Sequence, residues 1–191
     1  MTPFELFDEW YDEAKASEPS DPNAMAVATA TKEGRPSVRM VLFKDHGPDG
    51  FVFYTNTLSR KGEELAENDR AALCIHWKST YKQVRIEGPV VQVTAAEADA
   101  YFASRERTKQ LAASASLQSQ ELESRDLFEG KIRELDKLYA TGALPRPPHW
   151  TGYRVIPRCI EFWEGTQERM HHRRLFTDEG NGVWAETLLY P

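Results

Sequence analysis

The stretch AMAVATATKEGRPSVRMVLFKDHGPDGFVFYTN, residues 24–56, decides the fold. Ala24–Thr31 is rich in Ala, Val and Thr, Ser37–Lys44 is β-branched and apolar, and Phe51–Thr55 is aromatic and β-branched. Each run suits a pleated, half-buried surface. Between them lie Lys32-Glu-Gly-Arg-Pro36, where Gly34 is free to take positive φ, and Gly47-Pro-Asp-Gly50. Strand, turn, strand, turn, strand is the pattern of antiparallel neighbours. A strand, glycine-rich loop and helix in succession, as dinucleotide-binding folds require, is absent from the chain.

Upstream, Thr2-Pro3-Phe4-Glu5 forms a capping box with proline in the first turn. Phe4, Leu6, Phe7, Trp10 and Tyr11 then make an apolar stripe at helical spacing, and Glu18–Asn23 is a loop. Downstream, a short helix is expected over 59–67, then strands over Ala71–Trp77 and Tyr81–Thr94. In the second of these, alternation puts Val84 and Ile86 on one face and Gln83, Arg85 and Glu87 on the other. Thr94-Ala-Ala-Glu97 is a second capping box, opening a helix to about Ser104. Residues 121–140 also read as a helix, with Phe128, Ile132, Leu135 and Tyr139 on one buried face. After the stiff Leu144–Pro148 connector come strands over Thr151–Val155, Cys159–Trp163, Arg173–Thr177 and Val183–Leu189, the last two joined at Glu179–Gly182. Roughly seven or eight short strands point to a closed or nearly closed antiparallel barrel with peripheral helices, an α+β protein that is mainly β.

The length of 191 residues suits a single domain, 1–191, with a sizeable core. Hydrophobic residues at 40% and charged residues at 28% are those of an ordinary globular chain. The net charge of -6 argues against general nucleic-acid binding. Basic residues nevertheless gather at Arg60-Lys61, Arg105–Arg107 and Arg169–Arg173, which suits small anions. Cys74 and Cys159 have neither metal nor redox spacing and are expected to be reduced and largely buried. The acidic amphipathic start is no signal peptide, and no apolar run reaches the roughly 20 residues of a membrane span. A cytoplasmic protein is the default expectation.

Four segments could carry chemistry. Arg60 and Lys61 fall in the first turn of the expected 59–67 helix, where cations oppose the helix dipole unless an anion binds there; the alternative is a solvated pair. Arg39 and Lys44 are cations in an apolar strand, and their parity sends them to opposite faces unless the strand bends. They either meet a ligand anion or sit exposed at the strand ends. Arg169, His171 and Arg173 would share one face of a strand beside Trp163, repelling one another without an anionic ligand. Metal binding at His171-His172 lacks neighbouring ligands. Tyr101 and Arg105 share a helical face, and Ser114, Ser116, Gln118 and Ser119 follow as neutral donors or as a plain polar loop.

Together, RMVLFK at 39–44, FYTN at 53–56, SRK at 59–61, KQVRIEG at 82–88, YFASR at 101–105, LQSQ at 117–120, IEFWEG at 160–165 and RMHHR at 169–173 resemble the pyridoxine/pyridoxamine 5'-phosphate oxidases of the flavin mononucleotide (FMN)-binding split-barrel group. The resemblance runs from about Phe4 to the C-terminus and implies a homodimer with FMN between the subunits. It implies that Arg39, Arg60 and Lys61 hold the FMN phosphate, helped by Gln118 and Ser119. The run Met40, Val41, Leu42, Phe43 and Lys44, with Tyr54 and Thr55, would flank the flavin. Gln83 and Trp163 would line its ring, with Arg173 close by. Lys44, Tyr101, Arg105 and Lys109 would take the substrate phosphate. Arg169, Met170 and His171 would lie over the substrate ring, Arg169 and His171 as the catalytic pair. The implied reaction oxidises pyridoxamine or pyridoxine 5'-phosphate to pyridoxal 5'-phosphate, with O2 as acceptor and hydrogen peroxide as product.

Departures bear on the substrate. Lys109 stands where such proteins usually carry a serine, Leu111–Ser114 lacks their usual glycine, and Leu188–Pro191 lacks the arginine common before the final Leu-x-Pro. Two other readings are a related flavin oxidase of another aromatic, such as a phenazine precursor, and a non-catalytic FMN- or pyridoxal-phosphate-binding protein.

Overall fold

The computed structural model describes all 191 residues, Met1–Pro191. Strand β1 (Ala24–Ala30) turns back along β2 (Pro36–Leu42), and β3 (Phe51–Asn56) follows. Then come β4 (Arg70–Trp77), β5 (Lys82–Gln92), β6 (Trp150–Val155), β7 (Cys159–Glu164), β8 (His172–Gly180) and β9 (Val183–Leu188). All pair antiparallel, in the order β2-β1-β4-β5-β7-β8-β9, with β3 on β6 and β6 on β5. Every run expected to be a strand pairs, which makes nine rather than seven or eight.

The sheet splits instead of closing, and β5 is where it does so. Its residues Lys82–Glu87 pair with β7, whereas Val90–Gln92 pair with β6. Between them, a Cβ on Gly88 would stand 1.9 Å from the Ile156 carbonyl oxygen. Only glycine tolerates so close a backbone, so the change of partner is written at that position.

Alternation places Met25, Val27, Leu73, Ile75, Val84 and Ile86 inside, all essentially without exposure. Helix α1 (Pro3–Ser17), held by the Thr2–Glu5 capping box, seals this core with Leu6, Phe7 and Trp10. The Phe7 ring packs edge-on to Phe51 at 4.9 Å. Burying each such side chain contributes about 1.5–3 kcal/mol. Cys74 and Cys159 are free but only half-buried, rather than largely buried. Cys74 pairs across the ladder with the exposed Arg85, on the face away from Val84 and Ile86.

Helix α2 (Arg60–Glu67) and helix α3 (Ala95–Ser104) form at the expected places, capped by Ser59 and Thr94. Helix α4 (Arg107–Ala115) lies where sequence showed only scattered polar residues. Its N-cap, Glu106, makes no side-chain cap bond, so the usual start signal is missing. Helix α5 (Arg125–Leu138) is shorter than the expected 121–140 because its cap is Ser124. It has no fully buried residue. Ile132, Leu135 and Tyr139 are half-buried against a satellite cluster of Phe102, Leu111, Leu144 and Trp150, outside the barrel core.

Candidate functional site

One bend settles the parity of Arg39 and Lys44. Strand β2 ends at Leu42; the Phe43 N–H then donates to the Asn23 carbonyl at 3.0 Å and the Lys44 N–H to the Val52 carbonyl at 2.7 Å. The chain thus leaves β1 for β3, and both cations reach one cavity of about 840 Å³. Its walls are β2, Tyr54 and Thr55 of β3, the start of α2, the end of α3 with Lys109 of α4, Gln118-Ser119, and Trp150. Six lining residues are Lys or Arg, and the single acidic one is Glu106.

At one end stand Arg39, Arg60 and Lys61. Lys61 is only 6% exposed, yet no carboxylate pairs with it. Its Nζ donates to Thr55 Oγ1 at 2.9 Å, Gln118 Oε1 at 2.9 Å and Ser59 Oγ at 3.2 Å, all neutral. Burial, reinforced by the charge of Arg39, lowers its pKa from 10.5 to about 8. A buried cation without an anion is expensive, and a ligand phosphate would relieve it. Beneath this end lies Glu64, 4% exposed. It accepts from Thr29 and Ser37, pairs with Arg60 at 3.0 Å and lies 3.5 Å from Arg39. Burial alone would raise its carboxyl, but those hydrogen bonds and the Arg39 charge outweigh it and hold the pKa at about 2.

At the other end stand Lys44, Tyr101, Arg105 and Lys109. Burial, then the charges of Lys109 and Arg105, lower the Lys44 pKa. Burial lowers that of Arg105 as well. Arg105 Nη1 is buried and has no hydrogen-bond partner in the chain. Lys109 is paired with Glu106 at 3.1 Å on the open side. Between the two ends, the Tyr54 ring lies parallel to Tyr101 at 4.0 Å and to Trp150 at 5.2 Å. Gly152, opposite Tyr54 in the ladder, makes room: a Cβ there would sit 2.8 Å from the Tyr54 ring.

The cavity therefore gathers Arg39, Met40, Val41, Leu42, Lys44, Tyr54 and Thr55 with Arg60, Lys61, Tyr101, Arg105, Lys109, Gln118 and Ser119. The remaining expected site residues lie elsewhere. The Phe43 side chain is 3% exposed and packs in the barrel core, and it does not line the cavity. Gln83, Trp163 and Arg173 are register partners across β5, β7 and β8, with β1 and β4 between them and β2. Arg169, His171 and Arg173 do not share a strand face, because β8 begins at His172: only Arg173 is in the strand, His171 precedes it and Arg169 sits in the preceding turn at φ 59°. Met170 is 64% exposed. His171 accepts from the Thr166 N–H at 3.2 Å and its ring lies 4.7 Å from Trp163. Arg173 donates to Glu161 at 2.7 Å and to the Tyr190 carbonyl at 3.0 Å, so it is not a cation in search of an anion. Within one chain these residues form a second patch. Ser37, Glu64, Ser104, Glu106 and Trp150 belong to the site but were not singled out from sequence. Ser37 could have been found by its parity with Arg39 on β2.

Buried Lys61 without a carboxylate, the orphaned Arg105 Nη1 and stacked rings between them fit a phosphorylated, planar cofactor beside a second phosphorylated ligand. Fold and cavity thus define a class, a split-barrel protein with a cleft suited to phosphorylated ring compounds. Residues 11–139 match the family described as pyridoxamine 5'-phosphate oxidase, and residues 150–191 match the pyridoxine 5'-phosphate oxidase C-terminal dimerisation region. The chain is 57% identical to a pyridoxine/pyridoxamine 5'-phosphate oxidase of Novosphingobium aromaticivorans, over 99% of this chain and 93% of that one. It is 56% identical to the protein of the same name in Gluconobacter oxydans, over 99% and 94%. Among solved structures it resembles PhzG of Burkholderia lata, in complex with tetrahydrophenazine-1-carboxylic acid, with TM-score 0.93 and 36% identity over 100% of this chain and 93% of that one. The chain belongs to the pyridoxamine 5'-phosphate oxidase family.

Proposed function

We propose that this chain, as one domain over 1–191, is a flavin-dependent oxidase that converts pyridoxamine 5'-phosphate or pyridoxine 5'-phosphate to pyridoxal 5'-phosphate. The observation that carries this is one cavity with two cation groups separated by stacked rings, matching one phosphate on the cofactor and one on the substrate. Lys61, Arg39 and Arg60, with Gln118 and Ser119, would hold the phosphate of FMN. Arginine forks suit it because they give paired, charge-assisted bonds. Met40–Lys44, Tyr54 and Thr55 would flank its ring. When bound, FMN supplies a two-electron acceptor, with molecular oxygen as the final one. For pyridoxamine 5'-phosphate the reaction balances as substrate, oxygen and water giving pyridoxal 5'-phosphate, ammonia and hydrogen peroxide.

The protein's own contribution is placement. Lys44, Tyr101, Arg105 and Lys109 would fix the substrate phosphate, so that the reacting carbon meets the cofactor in one orientation. Gln83, Trp163, Arg173, Arg169, Met170 and His171 of a second copy would complete the cleft, as the dimerisation region suggests. Arg169 and His171 would then cover the substrate ring. Val38 and Met40, 67% and 65% exposed on edge strand β2, give such a partner an apolar place to dock. No helix of the chain is long and apolar enough to cross a membrane, and a cytoplasmic enzyme is the setting we propose.

The likeness to the phenazine-binding structure favours one second reading, an oxidase of another aromatic acid. Three cations at the Lys44 end exceed what a single carboxylate needs, which favours a phosphate. The test is anaerobic. The purified protein should be yellow, and pyridoxamine 5'-phosphate should bleach it without oxygen. A yellow protein that stays oxidised with this substrate sinks the proposal.

A further inference from the structure

Arg105 ends α3 as its C-cap residue, and nothing in the chain hydrogen-bonds its buried Nη1. What holds its side chain in place is a ring. The guanidinium carbon lies 4.9 Å from the centroid of Trp150, nearer than to Phe102 at 6.0 Å. Trp150 is 5% exposed and opens β6 opposite Asn56. Its backbone is tied twice, by its N–H to the Pro147 carbonyl at 3.0 Å and by its carbonyl to Arg146 Nη1 at 2.6 Å. Its ring lies within 5° of parallel to Tyr101 and within 13° of parallel to Tyr54. Phe102 packs on it edge-on at 5.1 Å. One buried indole thus packs against Arg105, Tyr54 and Phe102 and lies parallel to Tyr101.

We infer that Trp150 is the positioning residue for the substrate-phosphate clamp, fixing Arg105 by cation–ring contact and Tyr101 by stacking through Tyr54. The inference rests on the proposed function and deepens it. An arginine has many rotamers, and freezing its side chain costs up to about 2 kcal/mol. A guanidinium held against a ring on the cavity wall has met part of that cost before the ligand arrives. Partial burial of Arg105 also weakens competition from water, which strengthens a cation–ring contact.

The test uses the flavin-loaded, full-length protein and the variants Trp150→Phe, Trp150→Leu, Arg105→Ala and Trp150→Phe/Arg105→Ala. Binding of pyridoxal 5'-phosphate is measured by calorimetry, and pyridoxamine 5'-phosphate turnover in parallel. Trp150→Leu should weaken binding about tenfold, the size of a desolvated cation–ring contact, and Trp150→Phe only about threefold. KM should rise by the same factors with kcat held within about twofold. In the Arg105→Ala background, Trp150→Phe should change binding clearly less than it does in the wild type, because the share carried through Arg105 is gone and only that through Tyr101 remains. Should Trp150→Leu fail to fold, the Phe variants alone decide. Equal effects of Trp150→Phe with and without Arg105 would overturn the inference, as would a fall in kcat at unchanged KM. A wild-type protein that neither binds nor turns over these phosphates would overturn the proposed function and this inference together. A wild-type protein that does both, beside a Trp150→Phe variant that behaves identically, would overturn this inference alone.

Discussion

Replacing Lys61 with methionine should strengthen the flavin-free protein and weaken its hold on the cofactor. The lysine is buried beside Arg39 with only neutral acceptors, which brings its pKa from 10.5 to about 8. That difference corresponds to roughly 3 kcal/mol against the charged form. Methionine removes the charge at similar length. The abandoned acceptors keep other bonds: Thr55 Oγ1 still donates to Gln118 Oε1 at 3.1 Å, and Ser59 Oγ to the Asn56 carbonyl at 2.6 Å. Allowing for the lost lysine hydrogen bonds, the net gain should be about 1–2 kcal/mol, or a Tm higher by roughly 3–6 °C. FMN affinity should fall roughly tenfold to hundredfold, the worth of one charge-assisted contact, while riboflavin affinity stays within about twofold. Flavin fluorescence titrations and thermal melts of the flavin-free protein measure both quantities.

The pH dependence supplies the sign. Below pH about 8 the folded and unfolded chains both carry the Lys61 proton, and the folded state bears the full cost. Between about 8 and 10.5 the folded chain has released that proton while the unfolded chain keeps it, so stability rises with pH across the window. Lys61→Met should lack that rise. A methionine variant that melts lower than wild type, and loses riboflavin in step with FMN, would refute the reasoning. Lys61 would then be a structural strut rather than a phosphate site.

Glu64→Gln should destabilise the protein by about 3 kcal/mol at pH 7, because the folded carboxyl titrates at about 2 instead of 4.5. That contribution is present above pH 4.5 and lost as pH falls toward 2, so urea unfolding at pH 7 and pH 3 should show the gap between variant and wild type closing. Arg169→Ala should slow anaerobic flavin reduction at least roughly tenfold while flavin content stays near wild type, since Arg169 is exposed and lies off the cavity of its own chain; loss of bound flavin would move it to the cofactor site. Met40→Asp, on the exposed ridge of β2, should give a monomer by light scattering and cost most of the activity; an active monomer would show that one chain suffices.

The strands and turns were legible because their signals are local. Period-two alternation in Gln83–Glu87 and the glycine turns need no distant partner to be read. The site was legible where cations stand out of place, as at Arg39 and Lys61. Its scaffolding was not. Glu64 reads as an ordinary helix surface residue, and its role exists only because the fold brings Thr29 and Ser37 to it across 35 and 27 positions. Trp150 reads as core, which it also is. The bend at Phe43–Lys44 depends on a handover from Asn23 to Val52 that no local pattern announces. The resemblance implies a cleft built by two subunits, and within a single chain the patch of Gln83, Trp163 and Arg173 lies apart from the cavity. Which surfaces meet in a dimer is a property of two copies and leaves little trace in one chain's periodicity.

The two ends of the cavity differ in a way that suits a resident cofactor and an exchanging substrate. At the first end Arg60 is 63% exposed, but the central cation, Lys61, is 6% exposed and Arg39 is 20% exposed, with an ionised Glu64 locked beneath these two. Charges in so dry a place feel a phosphate strongly and little salt. At the second end Arg105 is half-buried, but Lys44 is exposed and the Lys109 side chain is 61% exposed, leaning on a carboxylate that it can release. Charges there attract an incoming anion from a distance yet are screened, so the grip is looser. A phosphate held as tightly at both ends would slow product release, and two loose ends would lose the cofactor. The asymmetry comes from a few residues: the buried Thr55–Lys61–Gln118 set on one side, and the short, surface-facing α4 on the other.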